Sequence, residues 1–149
     1  MNQLSLGFLA FLGGVFLAVQ GGYNSQLGVM LRNPLMASLV AFFFSATFAL
    51  LFLLIGQQSP PSLLQVKTIP LHLWFTGALF SVIGISLYYY TMPKLGIANM
   101  ISLGLFGQLI FSVVAGHFGW FGLPPEPANL KRMLGVVAMI TGIVLINNK

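Results

Sequence analysis

Five long apolar segments constrain the fold of this chain more than any other feature. A helix needs about 20 apolar residues to cross the hydrocarbon core of a bilayer. Within lipid every backbone amide must bond inside its own segment, so segments of this length are helices rather than the shorter, alternating strands of a barrel. We therefore predict an all-α integral membrane protein with five transmembrane helices, at about 4–30, 34–55, 70–92, 97–118 and 130–146.

Asparagines and prolines indicate where these helices begin and end. Arg32-Asn33-Pro34 supplies a capping residue followed by a proline at the first helical position, which predicts the start of the second helix. Asn129 can cap the fifth helix in the same way. The third segment is expected to begin near Pro70 and to stop at Pro93, because proline breaks a helix. We predict that 57–68 is a polar loop.

The composition supports a single transmembrane domain over 1–149. Hydrophobic residues make up 58% of the chain and charged residues 5%, whereas about a quarter of the residues in a soluble domain are charged. The absence of cysteine excludes disulfides and thiolate chemistry, and the six scattered Lys and Arg residues give little support to nucleic-acid binding. Leu4 to Val19 is apolar like the core of a signal peptide but lacks a basic start, so we predict a retained first helix.

Small residues recur along two segments at a spacing that lets helices approach each other closely. In the first segment glycines repeat every seven residues, with Ala18 and Ser25 on the same stripe. The fifth segment carries two glycines with the same separation. The predicted helix-packing positions are Gly7, Gly14, Gly21, Gly28, Gly135 and Gly142. The second segment is rich in phenylalanine instead, and we expect it to face lipid.

Polar side chains occur at depths where lipid favours apolar ones, and they are the candidate substrate-binding residues. Gln20 and Asn24 lie one helical turn apart, on one face of the first helix. Gln108 lies near the centre of the fourth segment and Asn99 near its start. An amide at membrane depth is costly unless it is hydrogen-bonded. The alternative is that these amides only bond neighbouring helices, as polar side chains in membrane bundles commonly do.

Three consecutive tyrosines close the third segment. A line of small residues, Gly77, Ser81 and Gly84, leads to Tyr88 one turn later, so Tyr88 is our candidate for the wall of a cavity. The alternative interpretation is an aromatic belt at the membrane surface, which we favour for at least one of the three.

Ionisable residues are almost missing from the predicted spans. Glu126 is the only carboxylate and lies in a proline-rich loop, while His72 and His117 are at membrane boundaries and are read as interfacial hydrogen-bonding residues. A transporter that exchanges protons for cations usually needs an ionisable group at membrane depth. The sequence also lacks a metal-ligand cluster, a nucleophile with its base, and a phosphate-binding loop. We therefore predict no metal, no cofactor and no enzymatic activity.

The basic residues give no preferred orientation in the membrane. Five crossings place the termini on opposite sides, with Lys67, Lys131 and Arg132 on one face and Arg32, Lys94 and Lys149 on the other. This balance does not satisfy the positive-inside rule for either orientation. An antiparallel pair of chains would form the ten-helix inverted repeat known from larger transporters. The alternative is one orientation set by loop folding or by a partner chain.

Five stretches, in order along the chain, resemble one family. They are Gln20-Gly-Gly-Tyr-Asn24-Ser-Gln-Leu-Gly28, Asn33-Pro34-Leu-Met-Ala-Ser38, Pro93-Lys-Leu-Gly96, Gly107-Gln108-Leu-Ile-Phe-Ser112 with His117-Phe-Gly119, and Arg132-Met-Leu-Gly135 with Thr141-Gly142. Together they resemble the half-length, five-helix YdcZ-like branch of the drug/metabolite transporter superfamily. The resemblance implies a multi-pass protein of the bacterial inner membrane, in contact with lipid, that is half of a ten-helix inverted-repeat transporter.

The same resemblance implies a small-molecule substrate, and a central cavity lined chiefly by the first, third and fourth helices of each half. It implies either an antiparallel homodimer or a pair with a paralogous half. One position departs from the family pattern, because Gly116 stands where an acidic residue is expected before His117-Phe-Gly119. This departure weighs against proton coupling or cation binding.

The function that we expect is transport of small metabolites or amphipathic compounds by alternating access, with hinges at Gly21, Gly22 and Gly107. The alternatives are half of a multidrug exporter and a non-transporting membrane subunit that assembles with or regulates a partner.

Overall fold

The computed structural model describes residues 2–147, and that part of the chain contains helices and no strand. The helices are α1 (Gln3–Met30), α2 (Pro34–Ile55), α3 (Leu63–Thr68), α4 (Thr76–Leu95), α5 (Ile97–His117) and α6 (Leu130–Asn147), with short 3-10 turns at Leu71–Trp74 and Trp120–Gly122. Five spans are long and apolar enough to cross a membrane: α1, α2, α5, α6, and α4 with the turn before it. The prediction of an all-α protein with five such helices is confirmed.

Asparagine side chains cap α2 and α6 at the two positions that the sequence predicted. Asn33 Oδ1 accepts a hydrogen bond of 3.1 Å from the backbone N–H of Met36, and Pro34 is the first residue of α2. Asn129 Oδ1 accepts one of 2.9 Å from the N–H of Arg132 at the start of α6. These bonds satisfy backbone donors that have no partner inside the helix, so both predicted starts are confirmed.

The third span starts where it was predicted but ends later. It begins at Leu71 with the 3-10 turn, directly after Pro70, and α4 continues it from Thr76. At the other end α4 continues through Pro93 to Leu95, so the prediction that the helix stops at Pro93 is wrong. Proline lacks the backbone N–H that would donate to the carbonyl four residues earlier, and α4 continues for two residues without that hydrogen bond. The helix ends instead at Gly96, whose φ of +83° is a conformation that glycine adopts without strain.

The segment predicted as a polar loop contains a short helix, α3, so that prediction is wrong for its second half. Ser62 and Gln65 form a capping box at its start. The side chain of Ser62 accepts from the N–H of Gln65 at 3.3 Å, and the side chain of Gln65 accepts from the N–H of Ser62 at 2.9 Å. This reciprocal pair satisfies two backbone donors, and this stabilises a helix as short as α3.

The chain divides into two compact units, the first ending at Pro93 and the second beginning at Lys94. Within the first unit Ser38 Oγ and Ser86 Oγ lie 2.9 Å apart and join α2 to α4. Within the second, Asn147 Nδ2 donates to Ser102 Oγ at 3.2 Å and joins α6 to α5. Most large apolar side chains are exposed, including the α2 residues Phe43, Phe44, Phe48 and Phe52. Such an apolar surface is suited to contact with lipid.

Candidate substrate-binding site

Two amides and one phenol join α1 to α4. Gln20 Nε2 donates to Tyr89 Oη at 3.3 Å, and Asn24 Nδ2 donates to the same oxygen at 2.9 Å. Because Gln20 and Asn24 are one turn apart, their side chains reach one atom of a neighbouring helix. Tyr89 is only 2% exposed, whereas the two amide side chains are half-buried. We call Gln20, Asn24 and Tyr89 the amide–phenol cluster.

Glycines of α1 allow α4 and α2 to come this close. A Cβ atom added at Gly21 would lie 3.0 Å from Met92 Cε of α4. One added at Gly28 would lie 3.5 Å from the Cβ of Ala37 in α2 and 3.9 Å from the Cβ of Tyr89. Both glycines are buried. The carboxyl-terminal half of the glycine stripe therefore receives helices on two sides, and this close approach brings Tyr89 within reach of the amides.

Ser25 extends the same contact between α1 and α4. Its hydroxyl donates to the carbonyl oxygen of Gly22 at 3.0 Å and to Met92 Sδ at 3.3 Å, and the residue is buried. The other four glycines predicted to pack helices are Gly7, Gly14, Gly135 and Gly142. No described residue comes within 4 Å of a Cβ added at any of them. Their role in packing stays a prediction.

Tyr89, rather than Tyr88, meets the amides, and sequence reasoning missed it. The small-residue line that led to Tyr88 lies about 100° around the helix from the face that α4 turns towards α1. That face carries Ser86, Tyr89 and Met92, spaced three residues apart, and each contacts α1 or α2. Ser86, a polar residue one turn before Tyr89, was the available signal. Tyr88 is half-buried, and its role as a cavity wall stays a prediction.

The remaining candidates, Asn99 and Gln108, belong to the second unit. Asn99 is half-buried near the start of α5, where its carbonyl oxygen accepts from Ser102 Oγ at 2.9 Å. Gln108 is an exposed residue in the middle of α5. Of the five predicted residues, Gln20 and Asn24 share one partner atom, Tyr89 Oη. A shared site with Asn99 and Gln108 stays a prediction.

The loop before α6 folds back onto the end of α5. Glu126 donates its backbone N–H to the carbonyl oxygen of Gly116 at 2.7 Å, and its carboxylate forms an ion pair with Arg132. The N–H of Ala128 donates to His117 Nδ1 at 3.2 Å. The single acid of the chain therefore lies against Gly116, the position at which an acid was expected from the sequence. The side chain of Glu126 is 62% exposed, so the carboxylate lies at the surface.

The two helices that form the amide–phenol cluster carry a single charged residue. Helix α1 contains no charged residue, and the charge of α4 is Lys94 in its last turn. Within residues 2–147 no three His, Cys, Asp or Glu side chains are grouped so that they could hold a metal ion. Lys149, counted in the charge balance, lies outside the described residues. The cluster can therefore donate and accept hydrogen bonds without a fixed charge.

Two cavities of about 350 Å³ lie elsewhere, one in each unit. The first is bordered by Asn33 and Phe42, among others, and the second by Phe111, Trp120 and Glu126, among others. Both are lined mainly by apolar side chains, and neither is lined by a residue of the amide–phenol cluster. Their apolar linings suit lipid tails as well as the apolar part of a substrate.

Five apolar spans with a neutral polar cluster between two of them define a multi-pass membrane protein. A family model described as "Putative inner membrane exporter, YdcZ" matches residues 5–145, so the chain belongs to the YdcZ family. Neither the comparison with curated proteins nor the comparison with solved structures gives a match. The protein is therefore located in the inner membrane, in contact with lipid, and its family supports a transporter, a class that is not typically enzymatic.

Proposed function

We propose that this chain is half of an inner-membrane transporter for small molecules, and that two copies form an antiparallel ten-helix dimer. The observation that carries the proposal is the amide–phenol cluster, in which two amides of α1 bond one buried oxygen of α4. Polar groups at membrane depth are costly and commonly mark a substrate pathway. Membership of an exporter family supports the same conclusion.

In this proposal the substrate binds where α1 and α4 meet, and alternating access changes how the two helices contact each other. The bonds from Gln20 and Asn24 suit such a change, because a neutral hydrogen bond contributes only about 0.5–1.5 kcal/mol net and can be exchanged. In an antiparallel dimer each of these residues occurs twice around the two-fold axis. Asn99, Gln108 and Tyr88 would complete the lining, and Gly21, Gly22 and Gly107 would act as hinges.

The transport proposal is tested by reconstituting the purified chain in proteoliposomes and measuring flux of a panel of neutral and charged solutes. Asn24→Leu keeps a similar volume but removes the amide, so it should lower the flux of any transported solute about two- to tenfold. Gln26→Leu is the matched control, because Gln26 is an exposed amide on the same helix, and flux should be unchanged. Equal flux in both variants and the parent would overturn the proposal.

The antiparallel assembly is tested separately by reporters fused after Lys149. Because the basic residues divide three against three between the two faces, both orientations should occur in comparable amounts. Two or three added lysines on one face should fix a single orientation and abolish assembly unless an oppositely biased copy is co-expressed. A single orientation of the unaltered chain, with parallel self-association, would refute the antiparallel dimer.

A second candidate function rests on the same hydrogen bonds. Because both amides donate to Tyr89, they also have the geometry of interhelical contacts in a non-transporting subunit. The two functions differ in what Asn24→Leu does. In a transporter it lowers flux more than stability, whereas in a subunit it lowers stability and association with the partner together.

A further inference from the structure

We propose that the hydroxyl of Tyr89 holds the position of a substrate oxygen, and that the substrate is a neutral molecule with a hydroxyl group on an apolar body. Substrate and Tyr89 would then compete for the amides of Gln20 and Asn24. This inference rests on the proposed function and names the substrate class of that same site.

The first support is the convergence of two donors on one atom. Gln20 Nε2 and Asn24 Nδ2 approach Tyr89 Oη at 3.3 and 2.9 Å, although they come from different turns of α1. A hydroxyl oxygen has two lone pairs and can accept both bonds while its own hydrogen donates elsewhere. An alcohol or phenol can therefore replace Tyr89 Oη bond for bond, which a hydrocarbon cannot do.

The second support is the low charge of the two helices that form the cluster. None of the residues from Gln3 to Met30 is charged, and in α4 Lys94 is more than one turn beyond Tyr89. Transferring an ion from water to such a site costs far more than transferring a neutral hydroxyl, because nothing there replaces its hydration. The site therefore selects neutral ligands.

The third support is that the competing groups lie on different helices. The amides belong to α1, and the phenol belongs to α4, next to the buried Gly28. When a ligand oxygen takes the place of Tyr89 Oη, the amides stay hydrogen-bonded while α4 loses its polar attachment at this point. Tyr89 is thus a positioning residue that links ligand binding to movement of α4 against α1.

The test compares Tyr89→Phe with the parent protein. This substitution removes one oxygen and leaves the ring, and Tyr23→Phe, at an exposed tyrosine of α1 outside the amide–phenol cluster, is the matched control. Four one-ring probes are used on the purified full chain in detergent: benzyl alcohol, toluene, benzylammonium and benzoate. Equilibrium dialysis measures the dissociation constants of the probes. The partition of each probe into detergent micelles is the same for every variant, so it cancels when the variants are compared.

We expect benzyl alcohol to bind Tyr89→Phe about tenfold more tightly than the parent, because two competing hydrogen bonds are removed. Toluene should bind both proteins equally, and neither ion should bind. Unchanged or weaker binding of benzyl alcohol would overturn the inference. An equal gain for toluene would overturn it too, because the gain would then come from space rather than from the freed amides.

A second measurement serves if Tyr89→Phe does not fold. The parent should prefer benzyl alcohol to toluene at this site, and Asn24→Leu should abolish that preference while Gln26→Leu keeps it. A preference that survives in Asn24→Leu would overturn the inference. Binding in detergent needs no transport, so intact competition without any flux in liposomes would overturn the proposed function and leave the ligand class in place.

Discussion

The two units of this chain use polar side chains in different places. In the unit that ends at Pro93, hydrogen bonds between helices lie inside the spans, as in the amide–phenol cluster and the pair Ser38 and Ser86. In the unit that begins at Lys94, the polar contacts include the ion pair between Glu126 and Arg132 at the start of α6, and the bond from Asn147, the last residue of that helix, to Ser102. The first arrangement suits a site at membrane depth, and the second fixes a loop at the membrane boundary.

The largest expected effect separates the two units by their glycines. Gly28→Leu should destabilise the protein by about 1–3 kcal/mol, because a Cβ there is already in contact with Ala37 and Pro34 at 3.5 Å and the rest of the leucine side chain would overpack the site. Gly135→Leu in α6 is the matched control, since no described residue lies within 4 Å of an added Cβ. Thermal unfolding in detergent measures both. Equal melting temperatures would show that the α1 stripe does not hold the first unit together.

A smaller effect is expected from the hydrogen bonds inside the spans. Asn24→Leu should lower the free energy of unfolding by about 0.6 kcal/mol, and by no more than about 1.7, the range measured for such bonds in membrane proteins. A double-mutant cycle with Tyr89→Phe should recover a coupling of the same size. Gln26→Leu again serves as the control. Additive effects of the two substitutions would mean that the amide and the phenol do not interact.

The smallest effect is expected at the boundary of the second unit. The Glu126–Arg132 pair has side chains that are 62% and 38% exposed, and exposed ion pairs contribute about 0–1 kcal/mol. Glu126→Gln should therefore lower the melting temperature only slightly at low salt and not at all in about 1 M salt, where charges are screened. Lys131→Gln removes a neighbouring cation and should cause no loss. A large, salt-independent loss for Glu126→Gln would show that the boundary, rather than the span, dominates stability.

Local features of this fold were predictable, whereas features set by tertiary packing were not. Asn33 and Asn129 were recognised as caps because a cap depends on a few neighbouring residues. Gln20 and Asn24 were placed on one face because helical geometry alone decides it. Tyr89 was missed because the face that α4 turns towards α1 depends on how the helices pack. The extension of α4 past Pro93 was missed because a proline inside a helix removes one hydrogen bond but does not always end the helix.

The unequal lengths of the spans make the protein sensitive to bilayer thickness. Helix α1 has 28 residues, which corresponds to about 42 Å, whereas α6 has 18 residues, or about 27 Å. The hydrocarbon core is about 30 Å thick, so α1 must tilt or protrude while α6 draws the surrounding lipid inwards. In the proposed antiparallel dimer the long and short helices of one copy are inverted relative to those of the other, so both leaflets experience the same mismatch. Thicker membranes would then favour upright α1 helices in both copies at once, and lipid chain length would not favour the inward-open over the outward-open form, because the two-fold axis relates them.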